Sequence, residues 1–427
     1  MELIEYINLF VFLLFFICYA YQFFYILIPF LKRKKERAEV KTHKIAVLIS
    51  ARNEESVIGY LIDSIKAQTY PAELIDIFVV ADNCTDKTAD VAREKGAIVY
   101  ERFNRELVGK GYALDFLLRR IAEKYSEDPH DAFMVFDADN VLDRHYIEEM
   151  NKTLSAGHKI ITSYRNSKNY GDNWISAGYS LWFLRESKYL NLPRYLLGTS
   201  CAISGTGFLV SREIIERHGG WKFFLLTEDI EFTVKNIIDG EKIAYCKNAV
   251  LYDEQPVKFV QSWKQRLRWA KGYFQVFGKY GKGLLKGAVT LKGFSFYDMT
   301  MTIMPAFIIT VLSIIVNVGC AVYTFATGGD YIVFLRSLGG LVFNMYMALY
   351  FIGLFTTVTE WKNIYTSPIK KIFYTFTFPL FMMTYIPISI TAAFKKVEWS
   401  HIEHSRTKTL DEIQSCKKVK AEGKTTT

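Results

Sequence analysis

Asp137 and Asp139 stand two residues apart at the end of the apolar run AFMVFDAD, 132–139. In extended backbone that spacing directs both side chains to one side. Two hard oxygen ligands can then converge on Mg²⁺ or Mn²⁺ bound with a diphosphate. Asp and Asn are also favoured at any strand-to-turn transition, so the pair needs further polar residues beside it before it means metal chemistry. Asp82 closes the run IDIFVVAD, 75–82, where a carboxylate could hydrogen-bond a base or a ribose; Thr85 or Asp86 is better placed to cap the following helix. Asp229, in LLTEDIEF, opens a predicted helix. There it could deprotonate an acceptor hydroxyl, although acidic first-turn residues also simply suit the helix dipole. Gln265, Arg268 and Trp269 form QRLRW, in which an Arg can meet diphosphate charge and an indole can stack on a sugar; a Trp/Arg belt at a membrane surface has the same composition. Gly205 and Gly207 in SGTGFLV permit close backbone approach to a ligand, or only a turn.

The elements that must hold these residues follow from periodicity. From Lys44 to about residue 140, short β-branched or aromatic runs alternate with amphipathic stretches, the pattern of βαβ units on a mostly parallel sheet. Strands are predicted at 44–50, 75–82, 97–100 and 132–139, and helices near 56–68, 85–96, 110–124 and 143–155. In such open sheets ligands sit beyond the carboxyl ends of the strands, and here those ends read ISARNEE, VADNCTD and FDADN. Beyond residue 155 the pattern predicts an aromatic helix at 172–192, a strand at 207–211 and a helix opened by TED at 227–229.

Half of the 427 residues are hydrophobic, and four runs, 6–31, 299–329, 337–358 and 372–394, contain no Asp, Glu, Lys or Arg. Each exceeds the roughly 20 apolar positions that cross a bilayer, so the chain reads as membrane-embedded. The first run lacks a basic n-region and a small-residue cleavage site, which makes it an uncleaved anchor. The burst Lys32, Arg33, Lys34, Lys35 and Arg37 follows it, against only Glu2 and Glu5 before it, and this places the next domain in the cytosol. The net charge of +9 clusters at membrane edges and in the C-terminal tail, a pattern of lipid headgroup attraction rather than nucleic-acid binding. The cysteines, at 18, 84, 201, 246, 320 and 416, form no pair at metal-ligand spacing. Residues 260–292 mix Trp, Tyr and Phe with Lys and Arg as interfacial helices do. The tail has no assigned side: a fourth full span would put it outside, its Lys and Arg content argues for inside, and the last run, broken by Pro379 and Pro387, is re-entrant or interfacial on the second reading.

Taken in order, ISARNEE, VADNCTDKTAD, GKGYALD, FDADN, GTGFLV, TED and QRLRW resemble the processive members of glycosyltransferase family 2, over roughly residues 44–275 and with flanking spans like those of cellulose, hyaluronan and poly-N-acetylglucosamine synthases. The resemblance implies an α/β, Rossmann-like GT-A catalytic domain between N- and C-terminal transmembrane helices. Its parts would be an anchor and basic flank at 1–40, the cytosolic domain at 41–259, interfacial helices at 260–298, a membrane region at 299–394 and a basic tail at 395–427. It implies an inverting transfer from a UDP-sugar, with Asp82 toward the uracil, Asp137 and Asp139 toward Mg²⁺ or Mn²⁺ and the diphosphate, and Asp229 as base. Ala51, Asn53 and Glu54 match the first nucleotide-binding loop and Lys110 a basic position near the nucleotide. Gln265, Arg268 and Trp269 would border donor and acceptor, with Gly205, Thr206 and Glu228 on the acceptor side. TED stands where hyaluronan synthases usually carry a GDD-type motif, and residues 395–427 are too few for the cyclic-dinucleotide-binding domain of bacterial cellulose synthases. A growing polysaccharide of the poly-N-acetylglucosamine kind is therefore the favoured acceptor. The alternatives are single transfer to a lipid and, further off, a scaffold or pore with a degenerate sugar site. Accessory membrane subunits and a multi-pass position in the plasma membrane complete the expectation.

Overall fold

The computed structural model describes residues 2–32, 39–290, 293–328, 331–399, 402, 404 and 406–415. The basic burst at 33–37 and Cys416 lie outside them. The chain begins with α1 (Glu2–Tyr19) and α2 (Tyr21–Leu31), which divide the first apolar run at Ala20. The central sheet then forms from β1 (Ile45–Ala51), β2 (Ile75–Asp82), β3 (Ile98–Arg102), β4 (Ala132–Asp137), β5 (Val141–Leu142), β6 (Ile160–Ser167), β7 (Phe208–Ser211) and β8 (Ile243–Asp253). Between the strands run α3 (Ile58–Lys66), α4 (Thr88–Glu94), α5 (Lys110–Lys124), α6 (Tyr146–Ser155), α7 (Trp174–Glu186), α8 (Leu192–Leu197), α9 (Arg212–Arg217) and α10 (Glu228–Ile238).

The strand order is β3-β2-β1-β4-β7-β6-β8-β5. β1 to β4 are parallel, β7 is antiparallel to both β4 and β6, and β6 is parallel to β8. The continuous apolar composition of β1, β2 and β4 follows from burial on both faces. Ala46, Leu48, Phe133 and Val135 pack on one side with α5 and α7 residues such as Leu114, Leu117 and Leu181. Ile45, Val47, Ile49, Met134 and Phe136 pack on the other with Leu61, Ile62 and Met150.

One predicted boundary is corrected. β4 ends at Asp137 rather than at residue 139, because the Asn140 amide donates to Asp137 O at 3.1 Å and closes a turn. Asp137 and Asp139 therefore do not share a strand face.

After β8 the chain enters α11 (Phe259–Val289), α12 (Phe294–Ile303), α13 (Pro305–Ala326), α14 (Tyr331–Thr359), α15 (Pro368–Met383), α16 (Tyr385–Phe394) and α17 (Leu410–Ser415). Residues 260–289, expected as interfacial helices, lie in the single 31-residue helix α11. Among the described residues, four stretches are long and apolar enough to cross a membrane: Asn8–Leu31, Ala306–Ala326, Leu338–Thr359 and Pro368–Phe394. The fourth differs from the rest, being 28% buried within the protein against 6–11% for the others.

That burial comes from contacts of α15 with α14 and α7 and of α16 with α11. Lys370 Nζ donates to Gly171 O at 2.6 Å, Arg266 Nη1 donates to Phe381 O at 3.1 Å, and Lys271 Nζ donates to Ala392 O at 3.0 Å. Gly178 leaves no room for a Cβ, which would sit 2.3 Å from the Phe381 ring. Arg266, completely buried, lies 4.3 Å from that ring's centroid and 5.0 Å from that of Tyr385. The tail then returns to the sheet: Arg52 stacks on Trp399 at 4.9 Å, Arg406 pairs with Asp172 at 3.0 Å, and Ile413 packs with Val141 and Tyr252.

Candidate active site

The carboxyl ends of β1, β2 and β4 open toward one edge of the sheet, and a cavity of about 500 Å³ lies there. At β1 the chain leaves the strand through Asn53, whose φ of +55° is reached at little cost by Asn. Its side chain accepts from the Thr85 amide at 2.8 Å, and the Glu54 amide donates to Thr88 Oγ1 at 2.7 Å. The first loop is thus tied to the loop after β2. Of its residues Arg52 and Glu54 face the cavity, while Ala51 and Asn53 serve the backbone. Asp82 ends β2 as expected, but its carboxylate is turned to Arg102, with which it is buried, and it does not line the cavity. Burial lifts its pKa against the pull of Arg102. Asp86 accepts from the Thr88 amide at 3.1 Å, the helix-start duty that its position suggested.

Lys110 begins α5 and its ammonium bridges Asp137 and the carbonyl of Gly205, the latter at 2.8 Å. The next residue must be Gly: a Cβ on Gly111 would lie 2.1 Å from Phe223 O. Asp137 is partly exposed at the mouth. Its amide donates to Thr206 Oγ1 at 2.9 Å, and that hydroxyl donates in turn to Asn140. Thr206 is buried and positions the turn rather than facing the cavity, whereas Gly205 lines it.

Asp139 is buried, and its Oδ2 accepts from the Glu254 amide at 2.8 Å. Burial works against its charge, but His404, Lys168, the Glu254 amide and Arg165 outweigh it and hold the carboxyl below its usual range. His404, from the tail, bonds Glu54 at 2.9 Å. Burial alone would lower its imidazole pKa, yet Asp139 and Glu54 push it up to about 10, while burial lifts Glu54 to about 7. No three His, Cys, Asp or Glu side chains among the described residues converge to hold an ion by themselves. Mg²⁺ commonly keeps its waters and takes only one or two protein carboxylates plus substrate phosphates. The charged Asp139 and the accessible Asp137 fit that donor set.

Across the cavity, Glu228 and Asp229 open α10. Burial raises both carboxyls, the charge of Asp229 lifts Glu228 further, to about 7, and Lys110 and Arg268 pull both down. Glu231, which the sequence did not single out, is fully buried and fixes this loop. It accepts from the amides of Phe224 and Leu225 at 2.9 Å each, and from Lys279 Nζ at 2.6 Å. α11 brings Gln265, Arg268 and Trp269 to the cavity wall. Arg268 reaches Leu226 O at 3.4 Å, and Trp269 meets the Tyr179 ring edge-on at 5.8 Å. Gln265 Oε1 is buried with no hydrogen-bond partner among the described residues.

The structure adds groups that local pattern did not reveal. Arg165 on β6 pairs with the buried Asp253, donates to Ser204 O at 2.8 Å and lies 3.7 Å from the centre of the Phe183 ring. Burial raises Asp253 to about 6 despite Arg165. Glu186, at the end of α7, accepts from Ser204 and is also raised by burial. Arg165 sits in the strand ITSYRNS, where it is the one charged residue.

The pattern of the glycosyltransferase like family 2 domain matches residues 43–272. The chain is 28% identical over 252 residues to a probable glycosyltransferase, YdaM, of Bacillus subtilis, covering 54% of this chain and 55% of the relative. It is 26% identical over 282 residues to a beta-monoglucosyldiacylglycerol synthase of Nostoc, covering 63% and 57%. It is 24% identical over 247 residues to a poly-beta-1,6-N-acetyl-D-glucosamine synthase of Staphylococcus epidermidis, covering 57% of each. The chain thus spans about half the length of the curated relatives it matches. A mannosyltransferase of Pyrobaculum calidifontis, solved with GDP-mannose and Mn²⁺, overlays 90% of this chain and 98% of its own with a TM-score of 0.56 at 14% identity. The fold is GT-A.

Proposed function

Because the chain belongs to glycosyltransferase family 2, we propose that it transfers a sugar from a nucleotide-sugar, a UDP-sugar by family resemblance, to an acceptor hydroxyl presented at a membrane face. The observation that carries this reading is one cavity lined at once by Asp137 and Asp139 beyond β4, by Glu228 and Asp229 at the start of α10, and by Gln265, Arg268 and Trp269 on α11. The donor diphosphate lies toward Asp137, Lys110 and Arg268, and the acceptor toward Asp229. Asp229 removes the hydroxyl proton as the oxygen attacks the anomeric carbon and the bond to the diphosphate breaks, a single displacement that inverts configuration. Asp137 and Asp139 would hold Mg²⁺ or Mn²⁺, which would supply charge stabilisation to the leaving group. Arg268 adds to this from the opposite wall, and Trp269 bounds the sugar.

The geometry also supports a topology. α14 ends at the catalytic domain, where Lys188 pairs with Glu360, and α15 with α16 stay against that domain. The reading is three crossings, by α1–α2, α13 and α14, with the fourth apolar run at the interface. The tail and the catalytic domain then share the cytosolic side of the plasma membrane.

The family resemblance extends the reaction to processive growth of a polysaccharide of the poly-N-acetylglucosamine kind. Single transfer to a lipid is the second reading, and the apolar far wall of the cavity favours it. Purified protein given labelled UDP-sugars one at a time, with Mg²⁺ or Mn²⁺, is expected to transfer sugar from one of them. Asp229→Asn should keep donor binding and lose transfer by about a hundredfold or more. Undiminished turnover in that variant, or no transfer from any common donor, overturns the reading.

A further inference from the structure

We infer that Glu186 is a second acceptor-binding carboxyl, which holds the hydroxyl next to the one that Asp229 deprotonates, so that the enzyme selects acceptors with hydroxyls on adjacent carbons. This rests on the transfer reading above. Glu186 ends α7 and lines the cavity together with Asp229. Directly after it the helix widens to a π turn, Ser187–Asn191, a rare arrangement that recurs at functional sites.

One short loop aims both carboxyls. Ser204 Oγ donates to Glu186 Oε1, and the Gly205 amide donates to Asp229. Gly205 stands at a φ of +77°, and a Cβ there would lie 3.9 Å from Asp229 Oδ2. Neighbouring residues, about 3.8 Å apart at Cα, thus hold the two acids, and hydroxyls on neighbouring carbons can meet both at once. The loop itself is fixed from outside: Arg165 donates to Ser204 O and Lys110 Nζ to Gly205 O, each at 2.8 Å.

Anchoring Ser204 accounts for only one of the two Glu186 oxygens. Oε2 has no hydrogen-bond partner among the described residues. The cations whose charge reaches this carboxyl are paired elsewhere, Arg165 with Asp253 and Arg194 with Asp298, and Lys110 is held by Asp137. Burial raises the Glu186 pKa, and the charge of Asp229 raises it further. A neutral amide would anchor the serine without that penalty; an unpaired acid beside a base in a cleft is where substrate contacts are found.

The rest of the lining distinguishes a hydroxyl from a phosphate. Tyr273 and Tyr385 stand within electrostatic reach of Glu186, and Ser389 adds a third neutral hydroxyl to the cavity. Arg268 acts on Glu228 and Asp229 and is the cation left for the donor diphosphate. A phosphate beside Glu186 would meet like charge from all three acids, whereas a hydroxyl donates to the free oxygen.

The test uses the full-length protein in nanodiscs with its working UDP-sugar. The probes are the octyl glycosides of glucose, galactose, mannose and N-acetylglucosamine, the monodeoxy analogues of the best of them, and dioctanoylglycerol, which has a single hydroxyl. A glycoside is expected to be preferred, and the linkage in its product identifies the attacked hydroxyl. Removing the hydroxyl beside that one should raise the acceptor KM by about tenfold or more, the worth of one hydrogen bond to a charged group. Glu186→Ala should cost the parent glycoside as much and cost that deoxy analogue nothing further, a coupling that a merely structural role would not produce. Glu186→Gln still accepts from Ser204 and should show the same coupling at smaller size, so the test stands even if the alanine variant does not fold. Equal losses with the parent and the deoxy analogue, a rise in donor KM in place of acceptor KM, preference for dioctanoylglycerol, or no transfer to any glycoside overturns the Glu186 assignment and leaves the transfer reading standing. Absence of both transfer and donor cleavage overturns the transfer reading itself.

Discussion

The pair Glu228 and Asp229 makes the pH dependence of turnover a direct readout of the proposed base. Burial raises both carboxyls, Glu228 to about 7, and the two charges oppose each other. Transfer needs Asp229 ionised, so kcat/KM should rise with pH along a limb whose midpoint belongs to the pair rather than to either residue. An assay about 1.5 pH units below that midpoint leaves about one enzyme in thirty competent. Folding responds with the opposite sign. A carboxyl raised in the folded state contributes stability that is complete below its unfolded value and is lost as pH rises through its folded one. Acidification therefore removes activity while this pair adds stability, which separates loss of the base from unfolding. Glu228→Gln deletes the like charge beside Asp229 and should shift the limb to lower pH. Initial rates with labelled donor between about pH 5 and about pH 8.5, alongside thermal melting at each pH, make the measurement. A flat profile, or a limb that moves upward in Glu228→Gln, refutes the assignment.

Chelation should abolish transfer, with recovery on adding Mg²⁺ or Mn²⁺, and Asp139→Asn should weaken the cation dependence; transfer undiminished in excess chelator would contradict the role given to Asp137 and Asp139. Arg165→Met leaves Asp253 buried without its partner and should destabilise the domain by about 3–5 kcal/mol, with Asp253→Asn in the same chain restoring part of the loss, read from melting temperatures in detergent. Gly111→Ala drives a Cβ toward Phe223 O, 2.1 Å away before any relaxation; the expected cost is about 1–3 kcal/mol, and transfer should fall with it because Lys110 is the adjacent residue. His130 is buried against Asp76, and burial lowers its pKa. Its contribution to stability is therefore present above the ordinary histidine value and is lost as pH falls through the lowered one; a His130→Phe variant should show a weaker acid dependence of melting.

Much of the catalytic domain was legible because its information is local. Strands buried on both faces read as unbroken apolar runs, so β1, β2 and β4 and the polar residues that end them could be placed from the sequence, and α5 begins and ends where the pattern put it. The acidic opening of α10 and the membrane-length runs belong to the same class of signal. What the sequence could not decide depends on contacts between distant positions. Asp139 leaves the strand face expected for it because a turn forms at Asp137, and its charge is held by His404, Lys168 and Arg165. Arg165 meets Asp253 across 88 positions and His404 meets Glu54 across 350, pairings set only when β8 lies beside β6 and the tail folds back on the sheet. The fourth apolar run has the composition of a span, yet a hydrophobic surface is satisfied equally by lipid or by protein. The packing of Phe381 against Gly178 and Arg266 gives one of its faces to protein, while Ile372, Phe373, Phe376 and Leu380 remain exposed.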